Sequence, residues 1–163
     1  MTTSDSDAST GLDTRESQVA IDELIAHPFP ETESHRDEVF SGPGFHMLTL
    51  RYSQEFWEDW SPEAVESALA EIESHRSSLA TELAPQWGAP HNVDLWPLTQ
   101  PGLGNAPGHT PIAYLSPIAG NMLLWRRPEL KRWLGLALCQ EDKELPIELV
   151  AVIGILETMP PNS

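Results

Sequence analysis

Cysteine is almost absent from this chain: Cys139 is the only one in 163 residues. That excludes an intrachain disulfide and any multi-cysteine metal site, and it fits a reducing compartment. Basic residues are scarce as well. Nine Lys and Arg stand against 25 Asp and Glu, a formal net charge of −16. A polyanion of this kind repels nucleic acid and anionic membrane unless a local basic face intervenes, so a basic protein is its natural partner. Nor is there a long apolar run. The densest, Leu145 to Leu156, is interrupted by Pro146 and Glu148 and is too short to cross a bilayer. The opening Met-Thr-Thr-Ser-Asp-Ser-Asp lacks the basic and apolar regions of a secretory signal. These absences together point to a soluble, cytoplasmic protein with no membrane attachment.

The length suits one domain with a self-sufficient core. Residues 1–40 carry ten acidic and two basic residues and few aromatics, a composition that buries too little apolar area to offset the entropy of ordering. They read as a largely disordered, mobile acidic leader. One short helix over 14–26 is foreshadowed inside it, because Asp13 and Glu16 form a capping-box pattern and Val19, Ile21, Leu24 and Ile25 follow before His27-Pro28. Ser41-Gly-Pro-Gly44 reads as the boundary, and an α+β domain is expected over 41–159.

Within that domain, residues 45–53 read as a strand, with Phe45, Met47 and Thr49 on one face and His46, Leu48, Leu50 and Tyr52 on the other. Ser61-Pro62 opens the best helix: a hydroxyl N-cap, Pro at the first position, then Val65, Leu69, Ile72, Leu79 and Leu83 along one face. Pro85 is expected to end it near Ala84. His91 to Leu98 is a short strand, and Met122–Arg127 with Lys131–Gln140 form a hairpin turned at Pro128. Leu145 to Ile155 is read as a C-terminal helix with Pro146 at its first position, a buried strand being the alternative. The result is an antiparallel sheet of about four strands, covered on one face by one long helix and the C-terminal helix.

Catalytic and metal-binding signatures are lacking. No two of the six histidines stand four apart, and Glu71 with His75 is a surface ion pair rather than a metal site. Cys139, at the end of an apolar strand, is a small buried hydrophobe. The Gly-x-Gly within residues 101–108 has no Lys-Ser or Lys-Thr after it and reads as a connector; no Gly-x-Ser-x-Gly is present. Neither a metal nor a cofactor is expected.

Two clusters stand out instead. Phe56, Trp57, Glu58, Asp59 and Trp60 place three aromatics and two acids in five positions, either a recognition patch for a basic partner or a lid on the core before the helix. Arg126, Arg127, Lys131 and Arg132 gather four of the nine basic residues at the hairpin turn between Trp125 and Trp133. There they either relieve self-repulsion by pairing with acids of the long helix or the leader, or hold an anion or an acidic partner surface. The function expected is that of a non-catalytic acidic interaction protein binding a basic protein, in the manner of small acidic inhibitors of the immunity type, an analogy that rests on size and charge. The alternative is a small enzyme or ligand-binding domain with a pocket between the 99–111 loop and the 122–140 hairpin.

Overall fold

The computed structural model describes residues 10–36, 38–56, 61–94, 119–140 and 145–156. It is an α+β fold built on one antiparallel sheet of eight strands with two helices. In chain order these are β1 (Thr10–Gly11), α1 (Thr14–Ile25), β2 (Ser34–Arg36), β3 (Val39–Gly42), β4 (Phe45–Tyr52), α2 (Pro62–Trp87), β5 (His91–Asp94), β6 (Ala119–Arg127), β7 (Arg132–Cys139) and β8 (Glu148–Ile155). Seven strands run in the order β2-β3-β4-β8-β7-β6-β5. β8 occupies one edge of β4, so β1 and β3 share the other: β3 pairs with 45–48 and β1 with 51–52.

Four expectations need correction. The C-terminal segment is not a helix. β8 is the sheet's central strand, hydrogen-bonded to β4 and β7, and Val150, Val152 and Ile153 meet apolar surface whichever face they point to. A strand buried on both sides loses the polar alternation that would have marked it. The strands number eight rather than four, because β1, β2 and β3 also come from or begin in the acidic segment. From Thr10 onward that segment is no mobile leader. Ile21 and Ile25 are buried in the core beside α2, β3 runs through the expected boundary at 41, and the acids of this segment among the described residues are exposed. Finally, α2 continues to Trp87 with Pro85 in its last turn, where only one intrahelical hydrogen bond is forgone; the Gly88 N–H closes on the Ala84 carbonyl at 2.8 Å.

Other elements follow their residues. α1 carries the full capping box, Glu16 N–H to Asp13 Oδ1 at 2.8 Å and Asp13 N–H to Glu16 Oε1 at 3.0 Å. α2 is capped by the Ser61 hydroxyl, 3.3 Å from the Ala64 N–H, with Pro62 at its first position. Pro43-Gly44 does not separate domains but turns β3 into β4. Gly44 has φ of 85°, and Pro followed by a positive-φ glycine is the pairing that a type II turn requires. The hairpin β6–β7 forms as expected, with a 3-10 turn over Pro128–Leu130.

Both helices lie on one face of the sheet. Ile21, Ile25, Ala68, Ile72, Leu79, Leu83 and Trp87 pack there onto Leu48, Leu50, Trp125, Leu134, Leu136, Leu149, Ala151 and Ile153. The opposite face is apolar too, which the one-sided expectation missed: Val93, Met122, Leu124, Trp133, Ala137, Cys139, Val150 and Val152 are all buried. Part of that cover comes from the sheet itself. Gly42, Phe45, Gly154 and Trp133 form one row across four strands, and a Cβ on Gly154 would fall 2.5 Å from the Trp133 indole. Glycine between aromatics lets the rings lie down on the sheet. No helix among the described residues is long and apolar enough to cross a membrane.

Candidate functional site

The four cations of the hairpin turn do not converge. Arg126 pairs in register with Trp133 and shares its side of the sheet, whereas Arg127 pairs with Arg132 on the helix side. Arg127 donates Nε–H to Glu129 Oε2 at 2.6 Å and lays its guanidinium 4.4 Å from the ring centre of Trp87, the last residue of α2. Lys131 holds the left-handed position of the turn, φ 57°, and is exposed. Arg132 points inward: Nη1 donates to the Ile25 and His27 carbonyls, both at 2.8 Å, with Phe29 stacked 4.0 Å away. It satisfies orphan carbonyls at the C-terminus of α1, where a cation also suits the helix dipole. The cluster is therefore divided between a local ion pair, two aromatic stacks and a strut to α1. Its partner in the N-terminal segment is backbone rather than acid.

Phe56 is fully buried in the helix-side core. Trp57, Glu58, Asp59 and Trp60 lie outside the described residues, as does the 99–111 loop. Cys139 is buried on the opposite face. Among the described residues no three His, Cys, Asp or Glu come together in a way that could hold a metal.

The concave site lies elsewhere, between α1 and the β2–β3–β4 end of the sheet. It is a cleft of about 530 Å³. Leu24, Phe29, Val39 and Leu48 give it apolar walls, and Ser41, His46, His27, Glu23 and Arg36 bring polar groups to it. Its floor is a hydrogen-bonded chain. His46 Nε2 lies 3.1 Å from the His27 carbonyl, which can only accept, so Nε2 carries the proton. Nδ1 of the neutral ring therefore accepts, and the Ser41 hydroxyl, 2.6 Å away, donates to it. The lone pairs of Ser41 Oγ remain as acceptors at the floor. Burial, assisted by the charges of Arg132 and His27 and opposed by the His27 carbonyl, holds the His46 pKa below its ordinary 6.5. The ring is neutral at neutral pH.

Sequence reasoning missed this site. The signal was one polar residue on an apolar face, His46 alongside Leu48 and Leu50, but its partners are the His27 carbonyl just beyond α1, in the segment read as a leader, and Ser41 on β3, in the stretch read as a boundary. Comparison with protein-family models, with curated proteins and with solved structures gives no match to this chain.

Proposed function

We propose that the protein is a non-catalytic binding module whose acidic surface takes a basic protein partner, as an inhibitor of the immunity type would. The observation that carries this reading is where the charges point. Arg51 donates to the Gly11 and Leu12 carbonyls, Arg76 to Asn121 Oδ1 and the Leu136 carbonyl, and Arg132 to the end of α1. Three of the chain's nine cations are thus turned into the fold. The exposed charges of α2 are Glu63, Glu66, Glu73 and Glu82, and its sole arginine, Arg76, is buried against the sheet. Negative potential at the surface is thereby concentrated where a basic partner would meet it, and such complementarity raises association rates and selects against acidic competitors.

Co-purification from the native host with identification by mass spectrometry tests this. A stoichiometric basic protein is expected, released as salt rises from ~0.01 to ~1 M and the Debye length falls from about 30 to 3 Å. It should bind less well to a chain with Glu63, Glu66 and Glu73 changed to Gln. A stoichiometric acidic partner, or binding indifferent to salt, refutes the proposal. The cleft favours a second reading, a small-ligand site, since its volume and its apolar walls with few polar groups suit one.

A further inference from the structure

We infer that the cleft between α1 and the β2–β3–β4 end of the sheet binds a neutral, largely apolar small molecule that offers a hydrogen-bond donor at its inner end; this rests on the small-ligand reading of the cleft and names the class of ligand. Volume and walls set its size and polarity. The cleft's 530 Å³ lies within the range of about 300–1,000 Å³ usual for small-molecule sites, and Leu24, Phe29, Val39 and Leu48 give the walls their apolar surface.

The floor fixes the direction of the polar contact. Ser41 lines the cleft yet is only 7 % exposed, and its hydroxyl proton is held by His46 Nδ1 at 2.6 Å. That commitment is forced from behind: the His27 carbonyl takes the Nε2 proton, which leaves Nδ1 of the neutral ring able only to accept. Neither side chain has a proton left to give. Ser41 Oγ keeps acceptor capacity, and among the described residues its one hydrogen-bond partner is His46. A ligand that displaces water from this oxygen without offering a donor leaves a buried acceptor unpaired, which is costly; a ligand N–H or O–H avoids that cost. Charge is balanced at the mouth. Glu23 brings the one carboxylate among the lining residues and Arg36 the one guanidinium, and both are exposed, as is His27. Arg132 is directed into the Ile25 and His27 carbonyls. Among the described residues the floor offers no ionised partner, so a charged ligand would lose its water there without compensation.

Indole is the probe, since its N–H donates and it brings no acceptor; benzofuran, the same shape with an ether oxygen in place of that N–H, is its control. Titrations of the full chain are followed by amide chemical shifts. Indole should move the signals of Leu24, Val39, Ser41 and Leu48, leave those of Glu66 and Glu73 on α2 in place, and bind about five- to tenfold more tightly than benzofuran. Indole carboxylate and tryptamine, which add a negative and a positive charge, should both bind more weakly than indole. Ser41→Cys, which puts a poor sulfur acceptor in the same position, should bring indole and benzofuran within about twofold of each other. Because that variant could disturb β3, the comparison on the unaltered chain decides. Equal affinity for indole and benzofuran overturns the inference and leaves the small-ligand reading standing, and tighter binding of either charged probe does the same. No response in the cleft to any of the four overturns the inference and the small-ligand reading together, while co-purification tests the basic-partner reading separately.

Discussion

His46 links acidity to stability. Its pKa is depressed in the fold, chiefly by burial, so near and below pH 6.5 the unfolded chain binds the proton more readily than the folded one. The stability that this group supports is present above the unfolded value and is lost as pH falls through the lower, folded one. Urea midpoints of the parent and of His46→Gln should therefore converge as the pH drops from neutral into that window; a constant difference would show that the ring does not titrate there. Arg132 offers a second contrast, with a neighbour in the same basic turn. Arg132→Gln removes two charge-assisted bonds to carbonyls and the Phe29 stack, and it should destabilise by about 1.5–3 kcal/mol. Lys131→Gln, at an exposed turn position, should stay within about 0.5 kcal/mol of the parent. Thermal or urea unfolding distinguishes them, and equal losses would mean that the turn acts only through its net charge.

For the elements, the sharpest expectation concerns α1. Ile21 has no exposed surface and packs among residues of the helix-side core, so Ile21→Ala should cost about 2–5 kcal/mol, and removing residues 1–40 should leave a chain that gives no cooperative melt. A stable fragment from Ser41 onward would restore the leader to a dispensable tail. What could be read in the sequence were features carried by neighbouring residues: the α1 capping box, the Ser61-Pro62 start of α2, the β6–β7 hairpin and the alternation in β4. What escaped depended on residues far apart in the chain. β1 and β2 are short and exposed and exist by pairing with β4 and β3, so no local apolar pattern announces them. Ten acids in forty residues dominated the composition, although the segment docks through Ile21 and Ile25 on one helical face and through Arg132 at the end of α1. The cleft needed α1 docked on the sheet and β2 formed beside it, and the sequence showed neither.

Across the described sheet, the order of strands and their order in the chain disagree where β1 pairs with β4 and, with more consequence, where β4 meets β8. β8 joins β4 to β7, and without it the described sheet falls into two separate sets, β1 through β4 and β5 through β7. A chain stopped before Glu148 would present the open edges of β4 and β7, both rich in apolar residues, and is expected to aggregate or bind hydrophobic dyes. Adding a synthetic peptide of residues 145–156 to the freshly diluted fragment should recover native far-ultraviolet and tryptophan signals, and failure to do so would mean that the sets cannot wait for their joining strand. In the cell that wait is built into synthesis. β8 follows every other described strand, so it leaves the ribosome after them, and until then β4 and β7 each lack the strand that fills one of their edges.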